Sequence, residues 1–241
     1  MKFAPHHAYV LNQRFRGTDT DELLREIFAD ASLGRLAIVS SFGSESAVLL
    51  HLAAQIDPAV PVLMVDTLRL FPETLAYRRE LAARLGLKDV RTVTPDPQLL
   101  AARDAAALRW SYDPDGCCAI RKVEPLRRAL TGFDAWISGR KAFQSPGRSA
   151  IPRFETDDGR LKINPLADWT RERLAGYAAE HGLPQHPLVS QGYPSIGCVP
   201  CTSPVRPGED LRAGRWRGWD KTECGIHGTG AGGGEPDLPI Y

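Results

Sequence analysis

The stretch Leu36-Ala37-Ile38-Val39-Ser40-Ser41-Phe42-Gly43-Ser44-Glu45-Ser46-Ala47-Val48-Leu49-Leu50-His51-Leu52-Ala53-Ala54 decides the fold. It opens as an apolar run of strand length and turns through small hydroxylated residues. It then continues as a helix with a broad apolar face. The same alternation extends in both directions. Upstream, Asp19-Thr20-Asp21 offers caps for a helix through Glu22-Leu23-Leu24-Arg25-Glu26-Ile27-Phe28 that ends near Gly34. Downstream, residues 60–65 read as a second strand, and Pro72 opens a helix reaching about Leu85 and closed by Gly86. Residues 89–93 and 135–138 are further strands. This repetition predicts an α/β fold, a parallel twisted sheet with helices on both faces. There is no internal repeat or heptad.

The chain has 241 residues, 43% hydrophobic and 24% charged, enough for one substantial core with an appended arm. A net charge of +1 argues against a nucleic-acid partner held by bulk charge. No apolar run approaches the roughly 20 residues that span a bilayer, so no membrane partner is expected. Met1-Lys2-Phe3-Ala4-Pro5-His6-His7 lacks the apolar core of a signal peptide, which predicts a cytoplasmic protein. Much of the proline and glycine falls after Pro184, so that half is expected to be loop-rich. The division expected is an α/β domain over residues 1–201 and a mobile C-terminal arm over 202–241.

In open α/β sheets, ligands bind beyond the carboxyl ends of the strands. Three such ends are polar here. The first strand runs into Ser41-Phe42-Gly43-Ser44-Glu45-Ser46, a turn able to aim backbone N–H groups at a phosphate at a helix N-terminus. The second ends in Asp66-Thr67-Leu68-Arg69. The fourth ends in Gly139-Arg140-Lys141-Ala142-Phe143-Gln144-Ser145-Pro146-Gly147-Arg148, a basic loop suited to an anion. Each alone has a plain alternative: a good turn and N-cap, a helix-capping aspartate, solvated surface charge. The first loop is neither a GxxxxGK[ST] nor a GxGxxG motif. All three together at one sheet edge favour a nucleotide with phosphate-like groups.

All five cysteines lie after residue 116. Cys117-Cys118 and Cys198-Val199-Pro200-Cys201 form two close pairs, and Cys224 stands apart in Glu223-Cys224-Gly225-Ile226-His227. Four thiolates close one zinc or iron–sulfur site, and spacing alone does not choose between them. The fifth thiol is left for chemistry. Structural disulfides suit a cytosolic chain poorly, while buried cysteines acting as small hydrophobes remain the plain alternative.

With these residues in view, the chain resembles the assimilatory adenylyl-sulfate and phosphoadenylyl-sulfate reductases from Ser40 to His227. Residues 41–46 look like that family's modified pyrophosphatase loop, and 66–74 are similar to its second-strand motif. Cys117-Cys118-Ala119-Ile120-Arg121-Lys122 is similar to its cluster motif, and residues 223–227 to its catalytic tail. Leu68 stands where the family has glycine. The resemblance implies an adenine nucleotide α-hydrolase-like fold and a [4Fe–4S] cluster on Cys117, Cys118, Cys198 and Cys201. It also implies adenylyl sulfate as substrate, thioredoxin or a similar dithiol as reductant, and a homo-oligomer, often a tetramer. Cys224 is then the nucleophile. The substrate residues implied are Ser41, Phe42, Gly43, Ser44, Glu45, Ser46, Asp66, Arg69, Lys122, Gly139, Arg140, Arg148, Arg212, Arg215 and His227. Lys221 and His227 are expected to lower the Cys224 pKa and Glu223 to oppose them. Glu45 and the four cysteines point away from the 3′-phosphorylated nucleotide. The alternatives are a reductase of that nucleotide or of both, a tRNA-thiolating ATP pyrophosphatase, and a non-catalytic metal-stapled nucleic-acid-binding module. His51, His181, His186 and the five tryptophans read as packing or surface residues.

Overall fold

Strand β1 (Leu36–Val39) lies near the middle of a six-stranded sheet of order β3-β2-β1-β4-β6-β5. Its neighbours are β2 (Val62–Val65) and β4 (Ala135–Ser138), both parallel, with Ile38 opposite Val62 and Ile137. Strand β3 (Val90–Val93) extends one side. The computed structural model describes residues 2–144 and 148–227. Glycines 228, 230 and 232–234, expected as flexible flanks of Cys224, lie outside the described residues, as do Ser145, Pro146 and Gly147 of the basic loop.

Alternation along the strands divides the core. Ile38, Val62, Met64, Ala135 and Ile137 join one apolar cluster, and Ala37, Leu63 and Trp136 the other. Helices α2 (Thr20–Ala29), α3 (Ser46–Ala54), α4 (Pro72–Leu85) and α8 (Arg171–Glu180) pack on the first side. Helix α7 (Glu124–Ala129) covers the second. Helices therefore lie on both faces, as the alternation requires. Asp19 caps α2, accepting from Asp21 N at 3.3 Å, and Gly86 ends α4 at φ 66°, where a Cβ would be strained.

The sheet is not wholly parallel. Strand β5 (Phe154–Asp157) pairs antiparallel with β6 (Arg160–Ile163), which itself runs parallel to β4. Asp158 and Gly159 join them, both at positive φ (50° and 71°), the conformation a two-residue hairpin turn demands. Helix α1 (Pro5–Arg14) covers the exposed edge of β5, where Asn12 exchanges hydrogen bonds with the Phe154 backbone at 2.7 and 3.0 Å. No helix among the described residues is long and apolar enough to cross a membrane.

Candidate active site

Three segments held against one another build the sulfur-bearing side of the site. Helix α6 (Pro114–Cys118) is capped by Asp113, which accepts from Gly116 N at 2.8 Å. It runs through a π-helical turn over Ala119–Val123 into α7. Adjacent side chains on a regular helix diverge by about 100°, and a π turn next to the cysteine pair changes that spacing, as is common at functional sites. The second-strand loop reaches across: Leu70 bridges to Cys198, Arg69 O accepts from Val199 N at 2.8 Å, and Thr67 Oγ1 lies 3.1 Å from Cys198 Sγ. Arg121, buried with Asp104 at 2.6 Å, donates to Thr67 O at 3.0 Å and ties the π-helical turn to the same loop. Trp216 N donates to Cys201 O at 3.1 Å, and its indole Nε1 is enclosed with no partner among the described residues.

All five cysteines are free thiols. Cys117 lies within electrostatic reach of Cys198 and Cys201, and Cys118 within reach of Cys224 and Cys198. Burial pushes the Cys117 and Cys201 thiols up, and that of Cys118 to about 11. Among the described residues, no three His, Cys, Asp or Glu side chains gather tightly enough for one metal ion. Burial also works against the Lys122 ammonium, yet the sulfurs of Cys198, Cys224 and Cys118 raise its pKa above the ordinary value.

At the carboxyl ends of β1, β2 and β4 opens a cleft of about 260 Å³. Seven cationic side chains line it (Lys122, Arg140, Lys141, Arg148, Arg171, Arg212 and Arg215) against Glu45, Asp210 and Glu223. A nearly neutral chain thus concentrates positive charge in one concavity, where it attracts an anion. Several cations are balanced in place. Lys141 donates to Glu45 at 2.8 Å and Arg140 to Glu155 at 2.6 Å, with Lys162 3.1 Å from the same carboxylate. Asn164 holds Glu155 at 2.9 Å and accepts from Ser138 Oγ at 2.5 Å. Other donors are uncommitted. Arg140 Nε, Arg215 Nε and His227 Nδ1 are enclosed with no hydrogen-bond partner among the described residues, and all three residues line the cleft. Gly197 makes room for Arg215, since a Cβ there would strike the guanidinium.

Cys224 lines the same cleft, seated between two kinds of anchor. Before it, Lys221 pairs with Asp115, Arg212 donates to Thr222 O at 2.7 Å, and Arg148 grips Glu223. After it, Ile226 packs on the second core cluster, and His227 stacks on Trp136 at 5.8 Å with 12° between the rings. Desolvation, then Lys162, Arg140, Arg148 and Arg212, drive the His227 pKa far below its usual value. His227 is therefore neutral and is not the cation expected beside Cys224. Lys221 is committed to Asp115.

Ser41, Gly43, Ser44, Glu45, Ser46, Lys122, Gly139, Arg140, Arg148, Arg212, Arg215 and His227 all line the cleft. Phe42 does not: it is 0% exposed at φ 48°, packed in the core under the loop. Asp66 and Arg69 also stand outside the cleft lining. Asp66 caps its own turn, accepting from Leu68 N at 2.9 Å, and Arg69 donates to Ala107 O. Ser44 Oγ donates to Pro194 O at 2.7 Å, closing the cleft wall. Reading the sequence missed Glu155, Lys162 and Asn164, which all belong to the unrecognised hairpin. His51, Tyr177 and His181 pack together, and His186 is 1% exposed.

A parallel sheet whose strand ends frame a cationic cleft, with a cysteine on its wall, defines a nucleotide-binding α/β protein equipped for sulfur chemistry. The particular group follows from comparison. Residues 35–204 match the phosphoadenosine phosphosulfate reductase domain, and the chain belongs to that family. It is 50% identical over 206 residues to the adenosine 5'-phosphosulfate reductase of Mesorhizobium japonicum, covering 86% of this chain and 80% of that protein. It is 43% identical over 199 residues to the phosphoadenosine 5'-phosphosulfate reductase of Gloeobacter violaceus, covering 80% and 82%. Among solved structures, the phosphate complex of the Candida auris phosphoadenylyl-sulfate reductase superposes with a TM-score of 0.71 at 27% identity. That match covers 85% of this chain and 99% of that one.

Proposed function

We propose that this protein reduces adenylyl sulfate to sulfite and AMP at the expense of a dithiol, through a thiosulfonate on Cys224. The observation that carries the reading is the cleft itself, where Lys122, Arg140, Arg212 and Arg215 line the same concavity as Cys224. Clustered cations favour an anion, and a phosphate–sulfate anhydride supplies negative charge and acceptor oxygens. The Cys224 thiolate attacks the sulfate sulfur, a sulfur–sulfur bond forms, and the electron pair of the broken S–O bond leaves on AMP. A thiol of the reductant then attacks Cys224 Sγ and expels sulfite. Its second thiol resolves the mixed disulfide, so the donor leaves as a disulfide. Lys122, Arg212 and Arg215 offset the negative charge of the anhydride, and neutral His227 meets one oxygen or bridging water as a hydrogen-bonding group.

The reading includes a [4Fe–4S] cluster on Cys117, Cys118, Cys198 and Cys201. The donor set fits one: four thiols of the type that ligates iron–sulfur clusters, three of them buried, with the Thr67 hydroxyl and Trp216 indole as hydrogen-bonding groups beside Cys198 and Cys201. When bound, it would clip α6 to the Cys198–Cys201 turn and set the charge that Lys122 faces. Anaerobically purified protein is expected to be brown, with about four irons per chain, and Cys198→Ser to bleach it. Colourless protein with stoichiometric zinc overturns this part.

With adenylyl sulfate and no reductant, intact mass should show one sulfonate on Cys224 and one AMP released per chain. Cys224→Ser should abolish the adduct and keep the colour. An adduct in the mutant refutes the assignment. The relative named for the 3′-phosphorylated nucleotide keeps that substrate in view. Glu45 does not argue against it, because Lys141 balances its charge and Gln144 donates a hydrogen bond to it. Preference for adenylyl sulfate rests on the relatives' names and the four cysteines, and competition between the two nucleotides should favour it at least tenfold in kcat/KM. A cytoplasmic setting and a homo-oligomer complete the reading, with a tetramer the state expected from light scattering in solution.

A further inference from the structure

Arg148 is expected from the sequence to hold substrate, yet its guanidinium is already committed. Nε and Nη2 donate to the two Glu223 carboxylate oxygens at 2.7 and 2.6 Å, the bidentate geometry that fixes a carboxylate most firmly. Nη1 donates to Gln144 Oε1, and Gln144 Nε2 donates to Glu45 Oε2 at 2.7 Å. Arg212 reaches Glu223 from the other side at 3.8 Å while holding the Thr222 carbonyl. A continuous polar chain therefore runs from Glu45, in the turn after β1, through Gln144 and Arg148 to the residue immediately before Cys224.

Resting on the reading of Cys224 as nucleophile, we propose that Glu223 is a positioning residue, clasped by Arg148 so that the tail presents Cys224 to the cleft, and that Arg148 serves the tail rather than the substrate. The apolar anchors at Ile226 and His227 fix the chain after Cys224, while before it Lys221 on Asp115 and Arg212 on the Thr222 carbonyl leave the residue adjoining the sulfur to be held by its own side chain. The ionic clasp supplies the second fixed point, and two points define the direction of the sulfur. Because the chain ends on Glu45, the clasp is also braced against the turn where the nucleotide is expected.

The test uses cluster-loaded, full-length protein with Glu223→Gln, Glu223→Asp, Arg148→Gln and the Arg148→Gln/Glu223→Gln double variant. At saturating adenylyl sulfate, Glu223→Gln should slow Cys224 sulfonation at least tenfold, and Glu223→Asp should recover part of the loss. AMP affinity, read by calorimetry, should change less than threefold in both Glu223→Gln and Arg148→Gln. The double variant should be no slower than either single one. A wild-type rate in Glu223→Gln overturns the proposal. So does an Arg148→Gln effect that multiplies onto Glu223→Gln with tenfold weaker AMP binding, which would make Arg148 a substrate ligand. Iodoacetamide labelling of Cys224 in nucleotide-free protein needs no turnover and so separates the clasp from the proposed reaction. Wild-type labelling should be slow at low salt and quicken as salt rises, whereas Glu223→Gln should label fast at every salt concentration. Equal, salt-independent labelling of both overturns the clasp even if sulfonation proceeds as proposed.

Discussion

Leu68 has a backbone that its side chain does not favour. It sits at φ 60° and is 56% exposed, so it bears left-handed strain without packing in return. Glycine adopts this conformation freely. Leu68→Gly is therefore expected to raise stability by about 0.5–1 kcal/mol in urea melts, whereas Leu68→Val, β-branched, should lower it. The sequence showed Leu68 to be unusual, because the related motif carries glycine there, but only the structure shows that the backbone kept the glycine conformation. Phe42 and Trp216 are also non-glycine residues at positive φ (48° and 49°) in site loops, a form of strain that gathers at functional positions. Arg215 is legible as a cation from sequence, but its close approach over Gly197 is not. Arg215→Lys, which loses the planar fork, should cut kcat/KM by about a hundredfold with cluster colour unchanged.

At the scale of elements, the first four strands were legible because β1, β2 and β4 are short apolar runs and β3 sets valines at both ends of a short β-branched stretch, all between helical segments. The hairpin was not, since β5 and β6 read Phe154-Glu155-Thr156-Asp157 and Arg160-Leu161-Lys162-Ile163, with Lys162 buried and the other charges half-buried. The Asp158-Gly159 pair was the available signal, among the strongest short-range marks of a hairpin. Its polar interior exists to serve the cleft: Glu155 neutralises Arg140 and Lys162, and fully buried Asn164 fixes Glu155. Asn164→Ala leaves the Ser138 hydroxyl and the Pro152 carbonyl without their partner, and should cost about 2–4 kcal/mol. His186 joins elements differently. Its Nε2 lies 3.0 Å from Thr74 Oγ1 on α4, and its Nδ1 accepts from Leu188 N. Burial holds its pKa down to about 4, against an ordinary value of 6.5. Between those values the unfolded chain binds the proton and the folded one does not. Stability is thus intact above about pH 6.5 and declines as pH falls toward 4. His186→Asn should flatten the fall in Tm between pH 7 and pH 5.

On the scale of the whole molecule, the proposed cluster would tie residues 117 and 118 to 198 and 201, closing a loop of about eighty residues that includes β4, the hairpin and α8. Constraining so long a loop opposes a large chain entropy. Removing the proposed cluster by oxidation should therefore lower Tm by several degrees and loosen the cleft walls together, as read by hydrogen exchange over residues 190–217. Two close cysteine pairs and a fifth cysteine apart were visible in the sequence, but where the fifth would rest was not, because that depends on contacts made late in the chain. Ile226 lies against Val39, Val65 and Trp136's cluster, and His227 on Trp136 itself, so the reactive arm supplies part of the second core. If Cys224 is the nucleophile proposed above, a dithiol protein is expected to reach it in the fraction of molecules where that patch has come away. Its apparent affinity is its intrinsic affinity multiplied by that fraction. Detaching one isoleucine and one ring costs roughly 2–3 kcal/mol, which leaves on the order of one molecule in a hundred receptive at any instant. Reductant demand is thus set within this chain: polar substitutions at Ile226 should lower the donor concentration needed for half-maximal rate, without any change in the surface the donor touches.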